Sequence, residues 1–337
     1  MKLLRKLLLP IVPIYYLVTS LRNTLYNVGA KSSTSYDFPV ICVGNLSVGG
    51  TGKTPMIEYL IRLLKSNYHL ATLSRGYKRK SVGFVLADTE ANPSTIGDEP
   101  FQIYNKFDDI IVSVDADRRH GIEQLRALEI TPEVILLDDA FQHRRVEAGL
   151  NILLTAFDNL YSDDIVLPTG NLREPKSGAN RADVIVVTKC PDQLADAAKK
   201  NVIKQLDPIT GQEVFFSHIG YSEKIIGLNE EKELGDLKAS QFTLVTGIAN
   251  SKPLVDFLNA KGLNFEHLNY KDHHEFSENE IENLKTKTLV LTTEKDFVRL
   301  ESDFKNSNTL FYLPIEVIID RSFEFNNLIS GFCKFSK

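Results

Sequence analysis

The sequence predicts an α/β fold in which a mostly parallel sheet carries helices on both faces. From residue 37 onward, short apolar runs typical of buried strands alternate with segments of helical apolar periodicity, and this alternation is typical of parallel sheets. A chain of 337 residues is long enough for two domains that each bury a core. Polar motifs follow several of the predicted strands, which is where ligands bind in sheets of this kind.

The amino end differs from the rest of the chain, and we expect residues 1–30 to associate with a membrane surface. Residues 1–36 contain five Lys or Arg residues and no Asp or Glu, and residues 7–18 are apolar apart from two tyrosine hydroxyls. This run is short of the roughly 20 residues that a spanning helix needs, and no A-x-A-like signal-peptide cleavage site follows it. Cations that flank leucines and tyrosines favour an interfacial anchor on an anionic inner leaflet. A helix packed in the protein core is the alternative.

A glycine-rich loop lies between a predicted strand at residues 40–43 and a helix that opens at Pro55 and runs to residue 65. Glycines allow backbone N–H groups to surround an anion, and the helix N-terminus adds its partial positive charge. Lys53 and Thr54 supply the ammonium and the hydroxyl that contact phosphates and Mg²⁺ in P-loop NTPases. Ser47 stands where that pattern has a glycine. The predicted nucleotide-binding residues are Ser47, Val48, Gly49, Gly50, Thr51, Gly52, Lys53 and Thr54.

This P-loop NTPase-like sheet is expected to occupy a kinase domain at residues 31–208, followed by a smaller α/β domain at residues 209–337. Strands in the first domain are predicted at residues 70–73, 110–114, 134–140, 151–155 and 184–187, and helices at 121–128 and 192–205. The second domain is predicted to have strands at residues 214–219, 242–245, 288–291 and 311–319, and helices at 252–260 and 278–285.

Two adjacent carboxylates, Asp138 and Asp139, end a predicted apolar strand, the position at which P-loop enzymes keep a carboxylate for Mg²⁺. Neighbouring strand residues point to opposite sides, so we expect only one of the two to contact the metal directly. A helix-capping turn is the other interpretation. Because a phosphate loop belongs to the same sheet, we favour a metal site, and we assign Thr54, Glu99, Asp138 and Asp139 to it.

A second acidic pair, Asp98 and Glu99, precedes Pro100 in a loop. The start of a helix would explain this pair equally. Phosphoryl transfer to an alcohol needs a carboxylate that orients and deprotonates the hydroxyl, which makes Asp98 the candidate base. His273 or His274 could orient or polarise that carboxylate. Neither has further ligands at metal spacing, so a zinc site is not expected.

Other polar residues near strand ends carry weaker signals. Arginine side chains can grip phosphates bidentately, and Arg144, Arg145 and Arg173 are candidates. The segment that begins with Thr188 and Lys189 is weakly similar to a guanine-reading motif but lacks its aspartate. A net charge of −5 gives no reason to expect nucleic-acid binding. Three widely separated cysteines indicate neither a zinc site nor disulfides.

Taken together, these motifs resemble those of the tetraacyldisaccharide 4′-kinases, the lipid A 4′-kinases of Gram-negative bacteria. The resemblance covers essentially the whole chain. It rests on residues 43–55, 73–77, 97–100, 137–144, 172–175, 181–183 and 272–273, and on the basic, leucine-rich amino end.

The resemblance implies that ATP, with Mg²⁺, phosphorylates the 4′-hydroxyl of tetraacyldisaccharide 1-phosphate, an acylated disaccharide lipid, to form lipid IVA in lipid A biosynthesis. It implies a peripheral or monotopic location on the cytoplasmic face of the bacterial inner membrane. Catalytic roles carry over to Lys53, Asp98 and His273, with His273 as the partner of the base. Acceptor binding carries over to Arg75, His143, Arg173 and Glu174.

Two rival interpretations remain at this stage. One is a soluble small-molecule kinase or ATPase whose amino end packs as core, and the other is a membrane-tethered nucleotide-binding module without an acceptor. An intact Lys53 and Thr54 and a surplus of carboxylates disfavour the second, since a binding module needs no base.

Overall fold

The computed structural model of the chain describes residues 5, 7–272, 274–305 and 307–335. The strands are β1 Val40–Asn45, β2 Leu70–Ser74, β3 Val85–Leu86, β4 Ile111–Val114, β5 Val134–Asp138, β6 Leu150–Ala156, β7 Val184–Thr188, β8 Glu213–Tyr221, β9 Lys224–Gly227, β10 Glu231–Glu233, β11 Phe242–Thr246, β12 Phe265–Asn269, β13 Val290–Thr292, β14 Leu310–Tyr312 and β15 Ile315–Ile319. The α-helices are α1 Val12–Asn27, α2 Lys53–Leu64, α3 Pro93–Ile96, α4 Asp98–Lys106, α5 Arg118–Arg126, α6 Asp196–Leu206, α7 Lys252–Ala260, α8 Glu278–Lys285, α9 Glu294–Leu300 and α10 Ser322–Phe335. Short 3₁₀ helices span Leu9–Ile11, Tyr161–Asp163, Lys176–Arg181, Leu234–Ala239 and Glu301–Phe304.

The larger sheet has nine strands in the order β15-β8-β7-β6-β1-β5-β2-β4-β3. The pairs from β8 through β4 are parallel, and the short edge strand β3 is antiparallel to its neighbour β4. All six residues of β1 are buried, as a central parallel strand covered on both faces requires. The predicted α/β class and mostly parallel sheet are therefore confirmed.

Each face of this sheet has its own apolar core. Alternate residues of β1 point to opposite faces: Val40 and Cys42 join a core that includes α5 and α6 side chains, while Ile41 and Val43 join one that includes α2, α4 and α10. The helix α2 contributes most to the second core, through Met56, Ile57, Leu60, Ile61 and Leu64. Helices thus cover both faces, as the strand–helix alternation predicts.

The chain divides into two compact units, and the division differs from the expected boundary at residues 208 and 209. The first unit runs to Ile219 and resumes at Val317, and the second unit is Gly220–Glu316. The chain stays in the first unit past residue 208 because β8 pairs with β7 in the large sheet. It returns because Phe325, Ile329 and Cys333 of α10 pack into the same core as α2.

The second unit is built on a six-stranded sheet with the order β10-β9-β14-β13-β11-β12. Strands β12, β11, β13 and β14 are parallel, while β9 is antiparallel to β14 and to β10. The strand predicted at residues 311–319 is in fact two strands, β14 and β15, that belong to different sheets. Pro314 lies between them, where the missing N–H interrupts a ladder.

The amino-terminal helix α1 presents an apolar surface to solvent. Ile14, Leu17, Val18 and Leu21 are between 61% and 66% exposed. The opposite side packs on the rest of the first unit, where the Tyr15 hydroxyl donates to the backbone carbonyl of Arg173 at 3.0 Å. None of the helices in the described residues is long and apolar enough to cross a membrane.

Candidate active site

The glycine-rich loop connects β1 to α2, and its backbone turns into the helix at Gly52. Gly49 and Gly52 have φ angles of 117° and 83°, a region that L side chains adopt only with strain. The helix begins at Lys53, two residues before the predicted start, so the ammonium and the Thr54 hydroxyl belong to its first turn. This is the strand–loop–helix arrangement that gathers N–H groups and the helix dipole at one point.

The backbone of the first part of the loop is paired with a neighbouring segment. Ser47 pairs with Leu172 in an isolated bridge, and the Val48 N–H donates to the Asn171 carbonyl at 2.8 Å. The Val48 N–H therefore contributes to a short ribbon with residues 171–173, and this N–H is already used within the protein.

Lys53 and Arg173 converge on Asp139, just beyond the carboxyl end of β5. The Lys53 Nζ lies 3.6 Å from Asp139 Oδ1, and Arg173 Nη1 donates to Oδ1 at 2.9 Å and to Oδ2 at 3.1 Å. Asp139 has a left-handed backbone with φ of 48°, which releases it from the strand direction of Asp138. The two neighbouring carboxylates therefore have different environments.

Asp138 is buried, and its Oδ1 has no hydrogen-bond partner in the described part of the chain. Burial raises the pKa of this carboxyl to about 7, with the Glu99 charge as the next cause, while Lys53 and Arg118 oppose the shift. A buried carboxylate oxygen without a partner is costly unless a cation or a proton satisfies it. Within the described residues, no group of three or more His, Cys, Asp and Glu side chains is arranged as a metal site.

Asp98 and Glu99 form the first turn of α4, so the helix-start interpretation is also correct. Acidic residues there are stabilised by the helix dipole. Gly97, before them, is packed so closely that a Cβ would lie 3.1 Å from the Tyr77 carbonyl oxygen. The Asp98 turn therefore adjoins the loop after β2 that carries Arg75, and Glu99 is near enough to Asp138 to affect its pKa.

The four predicted acceptor residues occupy different environments. Arg75 is exposed after β2. His143 Nε2 lies 3.6 Å from Asp117 Oδ1, and burial together with the Arg118 charge lowers the pKa of this histidine. Arg173 holds Asp139. Glu174 is only 2% exposed, so its carboxylate lies inside the protein and not at a surface open to an acceptor.

Glu174 accepts three side-chain hydrogen bonds. Asn23 Nδ2 of α1 donates at 2.6 Å, Arg181 Nη2 at 2.8 Å and Gln142 Nε2 at 3.1 Å. Gln142 Nε2 also donates to the Asn45 carbonyl at 2.8 Å, and Asn45 Nδ2 donates to the Thr51 hydroxyl at 2.8 Å. A continuous polar network thus joins the amino-terminal helix to the glycine-rich loop.

The chain matches one family along nearly its whole length. The profile described as Tetraacyldisaccharide-1-P 4′-kinase matches residues 4–333. The chain belongs to this kinase family. A tetraacyldisaccharide 4′-kinase of Flavobacterium johnsoniae is 53% identical over 94% of this chain and 93% of its own. One from Bacteroides fragilis is 42% identical over 98% and 94%.

A solved member of the kinase family has the same fold. The crystal structure of LpxK from Aquifex aeolicus in complex with ATP matches with a TM-score of 0.79 and 31% identity, over 98% of this chain and 99% of that one. Family membership and P-loop NTPase-like fold, both expected from the motifs, are therefore confirmed.

Of the two histidines considered as partners of the base, the structure describes His274. His273 lies outside the described residues. His274 belongs to the second unit, where its Nε2 lies 3.1 Å from Glu280 Oε2 and its ring stacks on Tyr270 with centroids 4.5 Å apart. Through the first of these contacts, His274 is linked to Glu280 in the first turn of α8.

Two residues near the site were missed by sequence reasoning. Arg118 is buried and donates to the carbonyls of Asp115 and Asp138, although its position before a predicted helix suggests only surface charge. Gln142 belongs to a motif that we noted for its cations. Its bridging role depends on Asn45 and Glu174, which are 97 and 32 positions away in sequence. No local sequence pattern predicts these contacts.

Proposed function

We propose that this chain transfers the γ-phosphoryl group of ATP to the 4′-hydroxyl of tetraacyldisaccharide 1-phosphate, which forms lipid IVA in lipid A biosynthesis. The observation that carries the proposal is the position of Lys53, at the start of α2 after a glycine-rich loop, 3.6 Å from the Asp139 carboxylate at the end of the neighbouring strand. This pairing of a loop lysine with strand-end carboxylates suits phosphoryl transfer. The names of the relatives support the acceptor.

The nucleotide phosphates would bind to residues 49–54. Lys53 faces Asp139 with 12% of its side chain exposed, so its ammonium is already held at the loop and loses little freedom when an anion replaces part of that contact. Its charge stabilises the negative charge that develops on the transferred group. Arg173, which contacts both carboxylate oxygens of Asp139, limits the movement of that carboxylate.

Mg²⁺ would be held by Asp138 and Thr54, with Asp139 and Glu99 nearby. The buried Oδ1 of Asp138 that lacks a partner fits a cation at this position, and the oxygen-only donors are those that Mg²⁺ prefers with one or two carboxylates and substrate phosphates. When bound, the ion neutralises charge on the β- and γ-phosphates. Asp138, rather than Asp139, is then the direct ligand, because Asp139 is already engaged by two cations.

Asp98 would accept the proton of the 4′-hydroxyl. It opens α4 beside the loop after β2, on the same edge of the sheet as Asp138. Arg75 and His143 lie along this edge and could orient the acceptor. His273 would act as the partner of Asp98, a role that only the family resemblance implies.

Helix α1 would dock on the cytoplasmic face of the inner membrane as a peripheral anchor. The exposed side chains of residues 14, 17, 18 and 21 form an apolar surface that can insert among lipid headgroups. The cations expected to contact lipids are partly engaged inside the protein: Arg5 donates to the Gly170 carbonyl at 2.8 Å and Arg22 to the Gln142 carbonyl at 2.8 Å. These two arginines are therefore less available to lipid headgroups, and the apolar surface is the part of α1 that would insert.

The proposal is tested by incubating the protein with γ-labelled ATP, Mg²⁺ and tetraacyldisaccharide 1-phosphate in mixed micelles. We expect label in a bis-phosphorylated lipid on thin-layer chromatography, and none with Lys53→Ala. Lys65→Ala is the matched control, since this lysine pairs with Asp109 at the surface of the same unit. Label that appears only as inorganic phosphate would contradict the proposal and indicate an ATPase.

A further inference from the structure

Two polar residues at the carboxyl end of β7 hold the backbone of the glycine-rich loop. Thr188, the last residue of β7, donates from its hydroxyl to the Thr51 carbonyl at 2.8 Å. Lys189, the next residue, donates from Nζ to the Gly50 carbonyl at 2.5 Å. Two consecutive peptide carbonyls of the loop are thus bound from a neighbouring segment of the same unit.

The geometry of the peptide bond determines what these contacts do. In a trans peptide the carbonyl and the following N–H point in opposite directions. Because the Gly50 and Thr51 carbonyls face β7, the N–H groups of Thr51 and Gly52 are directed away from it. These are loop N–H groups of the type that surrounds phosphates, so the β7 contacts orient donors that the nucleotide would use.

The backbone of Lys189 is itself specialised for this contact. Its φ angle is 57°, an uncommon conformation for a non-glycine residue that costs free energy unless its surroundings stabilise it. Partial burial lowers the pKa of Lys189, and the Lys53 charge lowers it further, while Asp158 opposes the shift. Two ammonium groups therefore share the loop, which raises the positive potential where phosphates would bind.

We propose that Thr188 and Lys189 are positioning residues that hold the glycine-rich loop in its phosphate-binding conformation before the nucleotide arrives. The proposal deepens the proposed function, because it rests on the use of ATP at this loop. Pro191 stands where a guanine-reading motif has its aspartate. The segment therefore has no carboxylate at this position to recognise a base, and its contacts here are with the backbone of the loop. Preorganisation of this kind removes the ordering cost from the binding step.

The test combines ATP affinity by calorimetry, without lipid, with amide hydrogen exchange of the peptide that contains Thr51 and Gly52. Lys189→Met keeps the apolar stem and removes the donor. We expect ATP affinity to fall about tenfold, the effect of one lost charge-assisted hydrogen bond, and exchange in the nucleotide-free loop to become faster. Thr188→Val should act in the same direction, while Lys189→Arg should recover most of the affinity.

Lys199→Met is the matched control, because Lys199 pairs with Asp320 at 2.8 Å in the same unit and does not contact the loop. It should leave both measurements unchanged. Two outcomes would overturn the inference: Lys189→Met with the ATP affinity of the parent, or a loss of affinity with unchanged loop exchange, which would make Lys189 a direct nucleotide contact. A parent protein that does not bind ATP would instead defeat the proposed function.

Discussion

Replacement of Glu174 by alanine should destabilise the first unit by about 3–5 kcal/mol, the range for removing one partner of a buried ion pair. The carboxylate is 2% exposed and accepts from Asn23, Gln142 and Arg181. Its removal takes an acceptor from all three donors, although Gln142 keeps the Asn45 carbonyl and Arg181 keeps the Phe141 carbonyl. A donor that stays buried without a partner costs about 1–3 kcal/mol. Relaxation and water entry reduce the sum. Arg181, which is 21% exposed at its side chain, should recover part of its solvation.

The assay is urea unfolding followed by fluorescence and circular dichroism, with the two transitions of a two-unit chain fitted separately. Asp109→Ala is the control, because its pair with Lys65 is at the surface, with 55% and 31% of the side chains exposed, and such pairs contribute about 0–1 kcal/mol. Glu174→Gln should also destabilise the first unit, since the amide replaces one carboxylate oxygen with an NH₂ group that cannot accept from the neighbouring donors. A Glu174→Ala loss below about 1 kcal/mol would refute the buried network, because a loss that small is typical of a solvent-exposed ion pair and not of a buried one.

Three further results are expected. Asp98→Asn should lower kcat by at least about 10²-fold with little change in ATP affinity, and an active Asp98→Asn variant would remove the base. Removal of residues 1–20 should shift the protein from anionic vesicles to the supernatant in a sedimentation assay, whereas full co-sedimentation would place the anchor elsewhere. The Asp115 hydrogen bond to His120, at 2.7 Å, raises the pKa of that histidine. The pair should therefore stabilise the fold fully below pH ~6.5 and lose that effect as pH rises through the raised pKa. In the His120→Gln variant, the free energy of unfolding should not show this decrease with pH.

The parallel sheet and the nucleotide loop could be predicted because their signals are local. A four-residue apolar run before a glycine-rich loop, and a periodic helix after it, specify β1 and α2 without reference to the rest of the chain. The strand β12 was missed because it lacks such a local signal. Glu266 and His267 interrupt the apolar run that is typical of a buried strand, and β12 lies at the edge of its sheet, where its residues are only partly buried.

The unit boundary and the role of Glu174 depend on contacts between distant segments. Nothing local in residues 317–335 indicates that α10 completes the first core, since that is decided by its packing against α2 and β8. Glu174 belongs to a motif whose resemblance implies acceptor binding, yet its neighbours in space are residues 23, 142 and 181. A sequence motif identifies which residues matter to a site more readily than it identifies whether they touch the ligand.

The central claim, phosphorylation of the 4′-hydroxyl, is tested most directly by locating the new phosphate in the lipid product. Proton–phosphorus correlation spectroscopy of the purified product should show a second phosphorus coupled to the proton on carbon 4 of the distal sugar, with the 1-phosphate signal retained. A new phosphorus coupled to another sugar position, or a diphosphate at position 1, would contradict the account.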